Sequence, residues 1–172
     1  MLSAMNFSIA WGDDPRYWQW ISIPESRFEK VAELLQVCWF DVRGKTNTRV
    51  LSPKTHYSAY MVFKKADQCY GFKDEAIEAV VGMVGQEASR RYICFDEAID
   101  GEFQRGERGM RPLVKPEERE DGWMEIELGE FFNEGGLMNS EEIEMGALET
   151  KRLNGKYGLI IQGIEIRPAK IR

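Results

Sequence analysis

The sequence has only one histidine, His56, among its 172 residues, and this scarcity removes much of the chemistry that enzymes use. A metal site built on two histidines cannot form, and a serine–histidine or cysteine–histidine catalytic pair would have to use His56. Because His56 stands at the start of a predicted strand, the simpler interpretation is an exposed polar residue. We therefore expect neither a metal ion nor a cofactor.

Cysteine is almost as scarce as histidine. The three cysteines, Cys38, Cys69 and Cys94, are odd in number, and no pair has the two-residue separation of a C-x-x-C motif. This pattern disfavours both a disulfide framework and a structural zinc site. Cys38 and Cys94 lie in apolar runs, so we predict that both are small side chains of the core.

An excess of positive charge is also missing, since 23 basic residues face 29 acidic ones and the formal net charge is −6. Nucleic acid is therefore not expected as a primary partner, because phosphate binding requires a dense basic surface. No apolar run approaches the roughly 20 residues of a membrane helix, and the first residues do not resemble a secretory signal. We expect no membrane insertion, a cytoplasmic or nucleocytoplasmic location, and one domain over residues 1–172.

The sequence does contain alternating apolar and polar residues, the pattern of half-buried strands. Strands are predicted at residues 18–23, 37–43, 57–64, 77–83, 91–95, 123–128, 143–147 and 157–167. Apolar residues at helical spacing predict one short helix at 25–35, and residues 97–121 predict a long surface loop with a short strand at 111–115. Many short strands with one or two short helices indicate an all-β, antiparallel β-sandwich, without separating a jelly roll from an immunoglobulin-like topology.

Recognisable catalytic motifs are absent. A glycoside hydrolase needs one carboxyl group in an apolar pocket and a second at a defined separation, and the pattern indicates neither. Most acidic residues occur in runs such as 117–121, which are typical of solvated surfaces. Because a phosphate-binding glycine motif and a nucleophile elbow are also missing, we do not expect an enzyme.

The most unusual segment is WGDDPRYWQW at residues 11–20, which places three tryptophans and one tyrosine around a turn favoured by Asp14-Pro15. Each tryptophan taken alone is best interpreted as a core residue. Four aromatic rings around one polar loop are harder to bury together, because each indole N–H needs a partner. The alternative interpretation is therefore a platform for a ligand.

A carbohydrate fits such a platform, because an aromatic ring can cover the flat C–H face of a pyranose while Asp, Glu, Asn or Gln bind its hydroxyls. Burying about 60 Å² at roughly 25 cal/mol/Å² yields only about 1.5 kcal/mol before ordering costs. One ring is insufficient, so two or more rings in a row favour oligosaccharides over single sugars.

The same segment begins a series of motifs that resembles a known family. In chain order these are FSIAWGDDPRYWQW at 7–20, VCWFDVRGK at 37–45, YSAYMVFK at 57–64, DGWMEIELGEFF at 121–132 and GLIIQGIEIRP at 158–168. They resemble the phloem protein 2 family, the plant lectins that include the tobacco agglutinin (Nictaba) domain. The resemblance covers nearly the whole chain in order.

The resemblance implies a jelly-roll sandwich like those of carbohydrate-binding modules. It implies a plant lectin of the cytosol or phloem sap, commonly a homodimer, that binds N-acetylglucosamine oligomers (chitooligosaccharides) and related glycans. The family's sugar-site tryptophans match Trp11 and Trp18, and its acidic candidates match Glu142 and Glu149. Some relatives carry an F-box, and because this sequence starts at the lectin motif we do not expect a ubiquitin-ligase adaptor.

The resulting hypothesis is a non-catalytic lectin in which Tyr17 and Trp18 stack on sugar faces, while Trp11 stacks or braces the loop. Four carboxylates are candidates for accepting hydroxyl or acetamide hydrogen bonds: Asp13, Asp14, Glu142 and Glu149. The rival hypothesis is a structural or protein-interaction module that keeps the lectin fold without sugar binding. The aromatic residues then belong to the core and to interfaces.

Overall fold

The structure is a computed structural model that describes residues 1–73, 75–96, 113–135, 141–151 and 154–170. Within these residues the chain forms twelve β-strands and two 3₁₀ helices, at Ala4–Asn6 and Thr48–Val50. The strands are β1 (Leu2–Ser3), β2 (Ser8–Ile9), β3 (Trp18–Ile21), β4 (Val31–Leu34), β5 (Phe40–Asn47), β6 (Thr55–Tyr70), β7 (Ile77–Met83), β8 (Ser89–Ile93), β9 (Glu117–Glu118), β10 (Met124–Asn133), β11 (Glu142–Glu149) and β12 (Tyr157–Pro168).

These strands form two antiparallel sheets. The first sheet has seven strands in the order β3-β4-β12-β6-β10-β9, and β1 also pairs with β12. The second sheet has five strands in the order β2-β5-β11-β7-β8. The predicted all-β, antiparallel sandwich is therefore confirmed.

The core lies between the two sheets, because alternate residues of each strand face inward. In β7, for example, Ile77 and Val81 are almost fully buried. Three phenylalanine rings pack edge-on against Phe95 in this core: Phe40, Phe63 and Phe72. Such pairs add about 0.5–1.5 kcal/mol each beyond the burial of area, so they help to fix how the sheets pack.

The helix predicted at residues 25–35 is wrong. Val31–Leu34 is strand β4, which pairs with β3 on one side and with β12 on the other. Its two faces are both covered, since Leu34 packs in the core while Val31 packs in a second apolar cluster with Trp123. Burial on both faces removes the two-residue alternation that marks a strand, and the remaining apolar spacing imitates a helix.

The predictions made for the single histidine and for two of the cysteines are confirmed in part. His56 is exposed as predicted, and its ring lies 5.1 Å from that of Phe132. Cys94 is buried as predicted, but Cys38 is exposed. The prediction for Cys38 is wrong because this residue lies just before β5, where the chain crosses from the first sheet to the second.

The structure covers only part of the loop predicted at residues 97–121, since residues 97–112 lie outside the described residues. Within the strand predicted at 111–115, Val114 forms an isolated bridge to the end of β8, and Glu117–Glu118 forms β9. Across the described ranges, no helix has the length and hydrophobicity needed to span a bilayer.

The exposed thiol predicts the order in which the cysteines react. We expect iodoacetamide to alkylate Cys38 first. Burial raises the pKa of the Cys69 thiol to about 11, so at pH 8 roughly one molecule in a thousand carries the reactive thiolate there. Alkylation of Cys69 should therefore increase as the pH rises toward 11. Peptide mass spectrometry after timed alkylation measures this order, and equal rates for the two residues at pH 8 would contradict it.

Gly158, next to the first residue of β12, provides a test of how closely β12 approaches its neighbour β6. Its φ is +90°, and a Cβ there would lie 2.0 Å from the backbone oxygen of Gln68 in β6. Gly158→Ala should lower the free energy of unfolding by about 3 kcal/mol or more, because strain and overlap add. The matched control is Gly85→Ala, where φ is +88° but no atom lies within 4 Å, and about 1 kcal/mol is expected. Urea denaturation measures both, and equal losses would show that the close approach is absent.

Candidate functional site

Several strand termini meet at one end of the sandwich. In the first sheet, β3 begins beside the end of β4, and β12 begins beside the end of β6. In the second sheet, β5 begins opposite the end of β11. The chain crosses between the sheets here, and Val37 exchanges backbone hydrogen bonds of 2.9 and 2.8 Å with Lys156. Segments that are far apart in the sequence are thereby joined at one end.

We call five partly or fully exposed aromatic side chains at this end the aromatic rim: Trp11, Tyr17, Trp39, Tyr70 and Tyr157. The exposed fractions are 51% for Trp11, 42% for Trp39 and 59% for Tyr70, and the other two are half-buried. Exposed aromatic residues that cluster in this way mark a binding surface more often than isolated ones do.

The loop that presents Trp11 is a succession of tight turns between β2 and β3. The Ala10 N–H donates to the Asp41 carbonyl, which anchors the loop to β5. The Asp14 N–H donates to the Trp11 carbonyl, and the Asp14 carbonyl accepts from the next turn. Trp11 itself has φ +60°, a conformation that is rare and strained for an aromatic residue. The surrounding hydrogen bonds therefore hold Trp11 in a fixed, outward orientation.

The rings of Trp11 and Tyr17 lie against each other, with centroids 5.2 Å apart and planes inclined at 36°. The Arg16 guanidinium lies 5.1 Å from the centre of the Tyr17 ring. Beside these rings is an open depression of about 560 Å³, within the usual range for small-ligand sites. Its lining residues are Ile9, Trp11, Gly12, Asp13, Asp14 and Pro15.

The two aspartates of the loop differ in their roles. Asp14 accepts a 2.7 Å ion-pair hydrogen bond from Arg16 and a second bond from the Arg16 backbone N–H. These contacts lower the pKa of Asp14 and commit its carboxylate to holding the loop. Asp13 is exposed, and the described residues provide no hydrogen-bond donor to its side chain. Asp13 is therefore the carboxylate of this loop that is available to a ligand.

The structure does not place Trp18 at the surface, which corrects the expectation that it offers a ring face to a sugar. Trp18 is only 2% exposed and stacks on Phe40, with centroids 6.4 Å apart. The pairing of β3 with β4 turns Trp18 inward and Gln19 outward. Its indole N–H has no hydrogen-bond partner within the described residues, so Trp18 is a core residue that carries an unpaired donor.

The two glutamates lie at opposite ends of β11. Glu149 pairs with Phe40 and thus belongs to the end that carries the rim, whereas Glu142 pairs with Asn47. Seven steps along a strand separate them by roughly 23 Å. The structure therefore brings Glu149, but not Glu142, to the side of the Trp11 loop. The sequence resemblance gave both residues equal weight, because it contains no register.

Trp39, Tyr70 and Tyr157 were missed as candidates by the sequence analysis. Alternation assigned Trp39 and Tyr157 to strands without an indication of which strand end they share. The sequence could have indicated them by their position beside a strand end or beside the segment that connects the two sheets. An aromatic residue in such a position has no neighbouring strand to cover it. Only the pairing of distant segments shows that the three lie on one rim.

A second depression of about 240 Å³ lies on the outer face of the first sheet, beside Tyr60. Its centre is the almost buried Glu125, which accepts hydrogen bonds from Arg119 and Arg167. The Arg167 guanidinium also lies 3.9 Å from the centre of the Tyr60 ring. These groups satisfy one another, so we interpret this network as structural.

The comparison with protein families follows directly from these motifs. The sequence model of the family described as Phloem protein 2 matches residues 1–168. The chain belongs to the phloem protein 2 family. The resemblance noted from the aromatic segment onward is thereby confirmed.

Among curated relatives, the chain is 72% identical to "F-box protein PP2-B10" and 63% identical to "Putative F-box protein PP2-B8", both from Arabidopsis thaliana. The matches cover 99% and 100% of this chain but 60% and 57% of those proteins. The chain thus spans about three fifths of the relatives' length. The first residue of this sequence consequently says nothing about an F-box, and the argument against one made from the starting motif no longer holds.

Solved structures with similar folds include the CBM22-1–GH10 modules of Clostridium thermocellum xylanase 10B complexed with xylohexaose, with a TM-score of 0.46 and 10% identity. That match covers 98% of this chain and 27% of the other. TmCBM61 in complex with β-1,4-galactotriose has a TM-score of 0.44 and 11% identity, over 95% of this chain and 87% of the other. Likeness at this level does not bear on the choice of ligand.

The different burial of the two tryptophans predicts different effects on stability. Trp18→Ala should lower the free energy of unfolding by about 3–5 kcal/mol, because it leaves a large cavity in the core. Trp11→Ala should change it by less than about 1 kcal/mol, since half of the ring is already in water. Urea denaturation followed by circular dichroism measures both values. A small loss for Trp18→Ala would show that its ring is not part of the core.

Proposed function

We propose that this chain is a non-catalytic lectin domain, and that the Trp11 loop of its aromatic rim binds oligosaccharides or glycoproteins that contain N-acetylglucosamine. The observation that supports this most directly is the exposed Trp11 ring, held outward at φ +60° and supported by Tyr17. A protein that had no use for this ring would gain stability by relaxing the strained backbone. Membership in the phloem protein 2 family supports the same proposal.

The proposed contacts follow from the placement of each side chain. The Trp11 ring covers the apolar face of a sugar, and Tyr17 keeps that ring in place. The free carboxylate of Asp13 accepts hydrogen bonds from hydroxyl or acetamide N–H groups. Glu149 supplies a second acceptor, and its strand β11 runs two strand spacings, roughly 10 Å, from β2, the strand that leads into the Trp11 loop. Asp14 acts indirectly, through the loop that it holds.

An open site of this kind favours weak binding to each sugar. One stacked ring contributes about 1.5 kcal/mol, and we expect oligosaccharide dissociation constants in the micromolar to millimolar range, roughly −4 to −8 kcal/mol. A homodimer would raise the effective affinity for multivalent glycoproteins through avidity. We propose that the protein acts in the cytoplasm, the nucleus or the phloem sap.

Truncation of Trp11 tests the proposed function. Trp11→Ala should reduce the affinity for N,N′,N″-triacetylchitotriose by about tenfold, because the stacking surface is lost. Isothermal titration calorimetry measures this directly. The matched control is Phe132→Ala, which removes another exposed aromatic ring, located near the start of β6 at the far end of the sandwich. Undiminished binding by folded Trp11→Ala would reject the site.

The alternative candidate is a protein-interaction or structural module that has the same fold but no sugar site. The F-box names of the relatives favour a role in assembly with other proteins. The titration separates the two candidates, since wild-type protein that binds no chitooligosaccharide supports the module. If the domain is part of a longer F-box protein, the lectin proposal assigns it the selection of glycosylated partners.

A further inference from the structure

The end of β6 and the beginning of β12 form an exposed stacked aromatic pair. Tyr70 and Tyr157 are register partners, and their rings lie 5.5 Å apart with planes inclined at only 21°. Tyr70 is 59% exposed, more than any other tyrosine, phenylalanine or tryptophan among the exposed large hydrophobic residues of the described chain. Each ring of the stack covers one face of the other, and the exposed part of Tyr70 leaves apolar surface in water, against which the C–H face of a pyranose could pack.

The tyrosine pair belongs to the same rim as the Trp11 loop. The Tyr17 carbonyl accepts a 2.9 Å hydrogen bond from the Leu35 N–H, and two residues later Val37 bridges to Lys156, the neighbour of Tyr157. Summed along this path, the backbones at Tyr17 and Tyr157 are no more than about 20 Å apart. Trp39, which is 42% exposed, follows the bridge on the same crossing segment. The two aromatic pairs and Trp39 thus lie at the same end of the sandwich.

The backbone beneath the tyrosine pair is fixed by close contacts. Gly71 follows Tyr70 with φ +90°, and a Cβ there would lie 2.4 Å from the Gly155 carbonyl oxygen. Lys156 is fully buried, and its Nζ donates to the backbone and side-chain oxygens of Asn154 at 3.2 and 3.1 Å. A pair held on such a backbone needs little ordering when a ligand binds, which favours affinity.

A carboxylate accompanies the aromatic rim. Burial lowers the pKa of Lys156, and the charge of Glu149 acts against that shift, so Glu149 is within electrostatic reach of the residue next to Tyr157. Glu149 ends β11 at the same end of the sandwich, where it pairs with Phe40 at the start of β5. We expect it to accept hydrogen bonds from hydroxyls of a ligand that touches both aromatic groups.

We propose that the Tyr70–Tyr157 pair is a second sugar subsite, reached past Trp39, and that the preferred ligand is a linear oligosaccharide long enough to extend from Trp11 to this pair. This inference rests on the proposed function, since Trp11 supplies the first subsite. It goes beyond that function by assigning three further aromatic residues and by making ligand length the basis of selectivity.

The test measures affinity as a function of ligand length. Wild type, Trp11→Ala and Tyr70→Ala are titrated with chitobiose and with chitohexaose. Wild type should bind the hexasaccharide more tightly than the disaccharide. Tyr70→Ala should leave the disaccharide affinity unchanged and weaken hexasaccharide binding by about three- to tenfold, the effect of one lost stacking ring. Trp11→Ala should weaken the binding of both ligands.

Two variants guard against a merely structural effect. Tyr70→Phe keeps the ring without the hydroxyl and should bind the hexasaccharide almost as wild type does. Phe132→Ala removes a ring that contacts His56 near the other end of β6, roughly 45 Å away, and should bind both ligands normally. Loss of hexasaccharide binding in Phe132→Ala would overturn the assignment, because the effect would then not be local.

The outcomes separate this inference from the proposed function. If Trp11→Ala loses binding but Tyr70→Ala binds both ligands as wild type does, the second subsite is wrong and the lectin proposal stands. An equal loss for both ligands in Tyr70→Ala would also overturn the subsite, because a distal ring cannot contact a disaccharide bound at Trp11. If Trp11→Ala retains disaccharide binding, the proposed function itself fails.

Discussion

The site depends on one backbone contact, the pair of hydrogen bonds between Val37 and Lys156. This contact lies where the chain leaves the first sheet and enters the second, and it continues the pairing of β4 with β12 toward the rim. It thereby fixes the crossing segment, which carries Trp39, beside the start of β12. The complete burial of Lys156 reflects this role, since its methylene chain is enclosed while its Nζ is bound by Asn154.

The strand pattern was largely predictable, because alternation depends on local burial that the sequence records directly. The strand predicted at residues 77–83 is found as β7, Ile77–Met83. Prediction failed where both faces are buried, as in Val31–Leu34, and where the chain crosses between sheets, as at Cys38. In these places a residue's surroundings come from segments far away in the sequence, and no local period encodes them.

The sequence did not predict which side chains of the candidate site are exposed. Trp11 and Trp18 are both tryptophans of the same motif, and both match the family's sugar-site tryptophans. Yet the ring of Trp11 is exposed, and the ring of Trp18 is in the core. The difference arises from the positive φ at Trp11 and the pairing register of β3, neither of which a residue pattern contains. Glu142 and Glu149 are separated in the same way by the register of β11. Of the two tryptophans in this motif, one therefore belongs to the core and the other to the surface.

The central claim is that exposed indoles of the rim, and not the buried ones, meet the glycan. The most direct measurement is the titration of ¹⁵N-labelled protein with chitohexaose while the indole N–H signals of its five tryptophans are followed by NMR. The account predicts that the signals of Trp11 and Trp39 shift, while those of the buried Trp18 and Trp123 stay in place. A shift confined to Trp18, or no shift at any tryptophan at saturating glycan, would contradict it.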